Sequence, residues 1–564
     1  MRLCGVAEAA GCLRLLQGAL PAGVMLLESR PGSPALWLGE GASDPPAPPE
    51  GPPEAYALRV EARGIAAAAR TPCGLFRACT TLAELLAQGA CPCGCLEDWP
   101  DRAERGLMLD VSRNRVYSLP TLMRVADLLV RLKANRLELY FENTFAYRDH
   151  PRAWAHTSPY TPADLLALSH YCAERHITLV PNQNTLGHFE RWFRADPARY
   201  LPYAECPQGG ARTPWGTIQT TPTGLRTADP ATARFASSLL DELLPCFPHA
   251  PVANLGGDEV FDLGLGRSKG ADTPENLYLA HLARVAATAR RHGKRPDFWA
   301  DMLLRHRALL PRARDVLPEA RWILWGYEAT DPLAAQAEAL AAHALPFLVA
   351  PGTSSWRSFC GRTSNMLANI RAAAALPAQG LLLTDWGDAG HWQPLAVSLP
   401  PTVLALSLAW NAAVEPDLPA AVDTLAHCAG LGAFLLRLGE SYCVANAGAP
   451  NATTLFQAFN LPLGAPNAPA FDPAALAAAD RFLAALAEEA PSLGNSLLAR
   501  EARFALDLQR TALARATGHL PDRREAARLL ARFETLWLER GPRAEFAASR
   551  QAMESALRAH HDRR

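Results

Sequence analysis

Lysine is almost missing from this chain. Lys133, Lys269 and Lys294 are its only three, and arginine supplies the rest of the positive charge in an alanine-rich sequence, a bias of coding rather than of chemistry. An excess of charge of either sign is missing too: 55 basic and 56 acidic residues leave a net charge of -1. That balance gives no electrostatic reason to bind nucleic acid or an anionic membrane, and it suits a neutral partner. No apolar run is long enough to span a bilayer, and residues 20–27 are too short and interrupted for a signal peptide, so no membrane insertion and a cytoplasmic location are expected. The thirteen cysteines are an odd number scattered over 564 residues, unlike a disulfide scaffold. Their one cluster, Cys91-Pro92-Cys93-Gly94-Cys95, has no second His or Cys pair at zinc-like spacing, so reduced thiols and no metal are expected.

Hydrophobic content of 49% and charged content of 20% describe globular domains, and the length calls for more than one. Residues 1–98 read as a small non-catalytic α/β domain. Within it the proline-rich stretch 43–53 is an extended loop, Tyr56 to Val60 alternates like a strand, and Thr80 to Gln88 has helical leucine spacing. No cluster of acids, histidines or nucleophiles stands there.

Residues 99–410 change pattern to short apolar strands alternating with amphipathic helices. Eight strands can be counted: 106–111, 136–141, 178–181, 252–256, 297–300, 322–325, 347–350 and 381–384. Eight strand-then-helix repeats close a (β/α)8 TIM barrel. The helix at 119–132 places Leu122, Val125, Leu128, Leu129 and Leu132 on one face. Residues 411–564 form a helical C-terminal region, with helices near 418–438, 473–489, 495–516, 522–540 and 543–559 and loops at 446–451 and 463–473.

Polar residues follow nearly every strand: Asp110, Glu142 and Asn143, Asn182 to Asn184, Asp258 and Glu259, Asp301, Glu328, Asp385 and Asp388. Residues at strand C-terminal ends line the catalytic face of such a barrel. Trp299, Trp325, Trp356, Trp386 and Trp392 fall at the same rim positions. Flat rings beside carboxylates suit a sugar, which offers apolar C–H faces for stacking and hydroxyls for bidentate partners.

Asn254-Leu255-Gly256-Gly257-Asp258-Glu259 follows the fourth strand. Most glycosidases set two carboxyl groups across the scissile bond, and adjacent residues are too close in sequence to straddle a sugar ring. If the substrate carries a 2-acetamido group, its carbonyl oxygen can attack the anomeric carbon instead. Glu259 would then be the general acid/base, and Asp258 would accept the acetamido N–H and stabilise the oxazolinium.

The sequence resembles the glycoside hydrolase family 20 β-N-acetylhexosaminidases over roughly residues 55–410. The resemblance lies in Arg105-Gly106-Leu107-Met108-Leu109-Asp110-Val111-Ser112-Arg113, in 182–188 with Gly187-His188, in 254–259, in Trp325-Gly326-Tyr327-Glu328 and in Asp385-Trp386-Gly387-Asp388. It implies an exo-acting, retaining hydrolase of glycans or glycoconjugates ending in β-linked GlcNAc or GalNAc, with no cofactor. It further implies Asp258 and Glu259 as the catalytic pair, Arg105 on the sugar's 3- and 4-hydroxyls, and His188 beside the acid with Glu142 as its acidic partner. Trp325 and Trp386 correspond to pocket walls, Trp356 joins them at the rim, and Asp388 stands where the family often has a glutamate. The segment 350–356 lacks the tyrosine that normally donates to the acetamido oxygen, leaving Tyr327 or a Ser or Thr hydroxyl for that job. Two other readings stay open: a two-carboxylate glycosidase using Glu259 with Glu142 or Asp388 on a sugar without the acetamido group, and a barrel that binds N-acetylhexosamines without cleaving them.

Overall fold

The computed structural model describes residue 12 and residues 29–30, 33–38, 46–62, 64–89, 91–445, 448–461, 469–519 and 521–558. The stretch 20–27, and parts of the loops expected at 43–53, 446–451 and 463–473, lie outside these.

The first domain is an antiparallel sheet of β1 (Ser29–Arg30), β2 (Ser33–Leu38), β3 (Tyr56–Glu61), β4 (Gly64–Ala69) and β5 (Gly94–Asp98), in the order β1-β2-β4-β3-β5. The helix Pro72–Ala87 packs on it through Leu75, Phe76, Cys79 and Leu82. This helix starts at Pro72, earlier than leucine spacing suggested, because the Thr71 hydroxyl accepts the Gly74 N–H and Pro72 takes the first helical position, where a missing N–H costs nothing. Cys93 and Cys95 are exposed on and beside the edge strand β5 as free thiols.

Eight parallel strands form the closed barrel: β6 (Glu104–Asp110), β7 (Arg136–Phe141), β8 (Thr178–Gln183), β9 (Val252–Asn254), β10 (Arg295–Trp299), β11 (Arg321–Trp325), β12 (Phe347–Ala350) and β13 (Gly380–Asp385). The ring closes where β13 pairs with β6, from Gly380↔Glu104 to Asp385↔Leu109. All eight expected strands are present, with ends moved by a residue or two. They are buried on both faces, inside by barrel side chains and outside by helices, which is why they read as apolar runs. The helix Leu119–Arg131, capped by Ser118, turns Leu122, Val125, Ala126 and Leu129 inward.

The lower end of the barrel is charged. Arg136 meets Glu138 at 2.5 Å, Asp297 at 3.1 Å and Glu104 at 2.8 Å, and Arg321 bridges Asp297 and Glu104. Above this layer Met108, Ile323, Leu348 and Leu382 fill the interior and lead up to Tyr140, Trp299, Tyr327, Trp356 and Trp386.

Arg105 lies at the lower end, at the start of β6. Its guanidinium is fully buried against both oxygens of Glu54, each at 2.7 Å, donates to the Lys133 and Arg102 carbonyls, and lies 5.0 Å from the Trp410 ring centre. Arg77 shares Glu54 at 2.8 Å. The residue expected to hold sugar hydroxyls instead docks the first domain under the barrel. The physical reason is direction: β6 enters the barrel at Arg105 and reaches the catalytic face only at Asp110.

The C-terminal helices build a second core around Leu483, Phe504, Phe533 and Trp537. The helix expected over 418–438 is two, Leu418–Ala426 and Leu431–Gly439. The break carries His427 at φ 49° and Gly430 at φ 78°, and the Asp423 carboxylate accepts the N–H groups of Gly430 and Gly432 across it. Trp392 belongs to this core, stacked on Phe359 and donating to the Ser549 carbonyl at 3.1 Å, so it joins barrel to helices rather than lining the rim.

Candidate active site

After β9 the chain turns through residues that only a glycine pair makes easy. Gly256 and Gly257 have φ of +74° and +87°, and a Cβ on Gly256 would lie 2.1 Å from Asn184 Oδ1. Hydrogen bonds pin the turn at each step. Gly256 N donates to Asn254 Oδ1 at 3.0 Å, and the Gly256 carbonyl accepts the Trp299 N–H at 3.1 Å. Tyr278 Oη donates to the Gly257 carbonyl at 2.9 Å. Asp301 Oδ2 accepts the Glu259 N–H at 3.0 Å. Glu259 itself is at φ 52°, a left-handed conformation costing a residue with a Cβ about 1–3 kcal/mol.

Asp258 and Glu259 share one histidine. His188 Nε2 is 3.2 Å from Asp258 Oδ2 and 3.6 Å from Glu259 Oε2. Burial opposes the imidazolium, but the Asp258 carboxylate more than offsets it and pushes the His188 pKa up to about 10. The Glu259 carboxyl is raised above its ordinary value, first by burial and further by Asp258, against the pull of His188. A raised carboxyl pKa is the tuning a general acid needs near neutral pH. Asp301, buried close to both, is pushed up to about 7 by burial and then by Asp258.

One arginine, its Nη2 3.5 Å from His188 Nδ1, organises the groups on the other side of that histidine. Arg113 follows β6, and its guanidinium reaches Asp110 Oδ2 and Glu142 Oε1 at 3.3 Å each and Asp388 Oδ1 at 3.1 Å. It lies 4.9 Å from the Trp386 ring centre and 5.1 Å from that of Tyr140. Beneath it, Asp110 accepts the N–H groups of Ser112, Arg113 and Gly387, tying the first strand's loop to the eighth's. Arg113, and not Arg105, is thus the arginine of this strand that lies beside Trp386 and Asp388. Glu142 is also placed differently from expectation: it is buried between Arg113 and Arg191, with Tyr140 Oη donating at 3.1 Å, and His188 takes Asp258 as its acidic partner.

The aromatic side is continuous. Trp386 Nε1 donates to Tyr327 Oη at 2.8 Å, and the Trp386 ring meets Tyr140 edge-on at 4.8 Å and Trp299 at 5.9 Å. Tyr327 stacks on Trp325 at 5.1 Å and meets the buried Trp356 edge-on. Burial raises the Tyr327 phenol, and the charges of Asp258 and Glu259 raise it further, which places its hydroxyl in the field of both carboxylates. Asp331 holds this segment by accepting the N–H groups of Tyr327 and Glu328. Glu328 pairs with Arg362 at 2.9 Å and Asp385 accepts from Thr353 and Ser355, so these two rim acids support the loops that carry the pocket. Among the described residues no group of three or more His, Cys, Asp or Glu side chains could hold a metal.

Comparison with known proteins matches this geometry. The family model described as glycosyl hydrolase family 20, catalytic domain, matches residues 103–354, and that for the family's domain 2 matches residues 8–99. The chain belongs to glycoside hydrolase family 20. It is 27% identical over 278 residues to a beta-hexosaminidase of Akkermansia muciniphila, a match covering 44% of this chain and 55% of that one, so the chain spans about half the length of this relative. A Flavobacterium johnsoniae chitobiase shares the fold with a TM-score of 0.55 and 16% identity over 89% of this chain and 86% of that one. An exo beta-N-acetylglucosaminidase of Vibrio harveyi, solved with N-acetylglucosamine, does so with a TM-score of 0.56 and 16% identity, covering 74% and 70%.

The family 20 catalytic-domain match stops before β13, yet β13 and the C-terminal region contact the residues around the site. Trp386 and Asp388 follow β13, and Asn451, in the hairpin of β14 (Gly448–Ala449) and β15 (Ala452–Thr453), accepts from Trp356 Nε1 at 3.1 Å. Glu545 reaches Arg191 at 2.8 Å from the far end of the chain. Arg113 and Tyr140 were open to discovery from position alone, at and near strand C-terminal ends. Asn451 and Glu545 carry no such mark, being brought over by the packing of the helical region.

Proposed function

We propose that this family 20 protein removes terminal β-linked N-acetylhexosamine residues from glycans by a retaining, substrate-assisted hydrolysis. The observation that carries the reading is that one His188 nitrogen touches both Asp258 and Glu259. Two carboxylates on the same histidine share one side of the site and cannot flank a sugar ring from opposite faces, as a nucleophile and an acid must. The acetamido oxygen supplies the missing nucleophile. Asp258, held by the imidazolium, accepts the acetamido N–H, aligns the carbonyl and offsets the charge of the oxazolinium. Glu259 gives its proton to the leaving oxygen and then takes one from water. Tyr327, whose oxygen already accepts from Trp386, points its own proton to the acetamido oxygen, the duty for which no tyrosine stands in 350–356. Arg113 with Asp388 binds the outer hydroxyls, and Trp325, Trp356 and Trp386 enclose the sugar.

The two-carboxylate alternative would need Glu142 or Asp388 free, and both are engaged by Arg113. The test is turnover of nitrophenyl N-acetyl-β-glucosaminide, N-acetyl-β-galactosaminide and the unacetylated β-glucoside. Glu259→Gln is expected to keep sugar binding and to lose about 10²–10⁴-fold in kcat. A thiazoline mimic of the oxazolinium is expected to inhibit the wild type. Hydrolysis of the unacetylated glucoside with no thiazoline inhibition would refute the mechanism, and binding without any turnover would make the protein a lectin-like barrel.

A further inference from the structure

The turn that carries the catalytic pair contains three residues in the left-handed region, Gly256, Gly257 and Glu259. Two are glycines and adopt it freely; Glu259 does not, because its Cβ crowds the backbone. Something must hold it there. The Glu259 N–H is bonded to Asp301 Oδ2, on the first residue of the short helix Asp301–Arg305 that follows β10. The rest of the turn is held by other elements: Trp299 N–H on the Gly256 carbonyl, Tyr278 Oη on the Gly257 carbonyl and the Thr185 hydroxyl on the Leu255 carbonyl at 2.7 Å. These bonds fix the turn up to Gly257. The bond to Asp301 lies beyond them, at the acid itself. We propose that Asp301 is a positioning residue that keeps Glu259 in its left-handed conformation, and so keeps the Glu259 carboxyl aimed at the leaving-group oxygen.

This rests on the acid/base role proposed above for Glu259. The Asp301 carboxyl is buried among charged and titratable groups. Asp258 and Glu259 face it from the turn, Tyr278 from the helix Pro274–Arg291 and Arg305 from its own helix. Its second oxygen, Oδ1, is buried with no hydrogen-bond partner among the described residues. Without the acceptor, Glu259 relaxes toward an extended backbone and its carboxyl swings from the glycosidic oxygen. Misplacement by about 1 Å costs roughly 10²-fold when a transferring group must be aligned.

The readout is dependence on the leaving group. A sugar alkoxide needs the proton from Glu259 to depart, whereas dinitrophenolate departs without it. The first irreversible step, reported by kcat/KM, is therefore sensitive to the aim of Glu259 only for the sugar. Asp301→Ala, Asp301→Asn and Asp301→Glu are compared with the wild type on a β-1,4-linked GlcNAc disaccharide and on 2,4-dinitrophenyl N-acetyl-β-glucosaminide. Asp301→Ala is expected to lose about 10²-fold in kcat/KM on the disaccharide and less than about threefold on the dinitrophenyl sugar. Asp301→Asn, whose amide oxygen accepts the same N–H, is expected to recover the disaccharide activity to within about tenfold of the wild type. Asp301→Glu displaces the acceptor while keeping the charge, and is expected to show the same selective loss, which preserves the test should the alanine variant fail to fold. Equal losses on both substrates, no loss in Asp301→Ala, or an asparagine variant as impaired as alanine would each overturn the inference while leaving the function standing. A wild type that hydrolyses neither substrate overturns the function and this inference with it.

Discussion

At the scale of single residues the site is a set of charges that adjust one another. The His188 imidazolium, with its pKa raised to about 10, stays charged throughout the ordinary range and pulls the Glu259 pKa down, while burial and Asp258 push it up. Removing the positive charge lets the Glu259 pKa rise further, so the acid keeps its proton to higher pH. His188→Gln is therefore expected to shift the alkaline limb of the kcat/KM profile upward. The same change removes a hydrogen bond to the Asp258 carboxylate, about 1.5–3 kcal/mol, and so lowers kcat by about 10–100-fold. A pH–rate profile on an aryl N-acetylhexosaminide measures both; an alkaline limb that moves down would refute the electrostatic account.

At the scale of elements the turn after β9 works because its backbone takes conformations that side chains resist. Gly256 combines a φ of +74° with Asn184 pressed against the place of its absent side chain. Gly256→Ala is expected to destabilise the protein by at least the 1–2 kcal/mol (approximately) of the left-handed penalty, and to cut turnover because the displaced turn carries Asp258 and Glu259 with it. Thermal unfolding and kcat of the folded protein check the two effects. A variant with lowered melting temperature and unaltered kcat would show that the turn has slack.

At the scale of the whole molecule, domains are joined by buried charge at the end of the barrel away from the chemistry. Burial alone would raise the Glu54 carboxyl, but Arg77 and Arg105 hold it below its ordinary value. Its contribution to stability is thus full above the unfolded-state value of about 4.5 and is lost as pH falls through the lower folded-state value. Arg105→Ala leaves Glu54 with Arg77 as its one remaining arginine, beside the Asn135 amide, and breaking a buried pair costs about 3 kcal/mol at the low end of the usual range. The variant is expected to unfold earlier in urea at pH 7, to differ less from the wild type at pH 3.5, and to keep the kcat of the folded enzyme. A large fall in kcat with unchanged stability would return Arg105 to the sugar site.

The sequence by itself determined the barrel, because strands covered on both faces must be apolar runs and must alternate with one-sided helices. It also determined where Asp258 and Glu259 stand, since Gly256-Gly257-Asp258-Glu259 is a local turn at a strand's C-terminal end. Tertiary structure alone set Arg105 against Glu54 and Arg113 beside Asp388 and Trp386, although their residue type is identical, because the two ends of β6 face opposite poles of the barrel. It likewise gave Glu142 to two arginines and His188 to Asp258, took Trp392 out of the rim and into the helical core, and brought Asn451 to Trp356 and Glu545 to Arg191 from far along the chain. Local pattern encodes which side of a strand or helix is buried. It does not encode which distant group meets a side chain there, because that depends on how barrel, sheet domain and helices pack together.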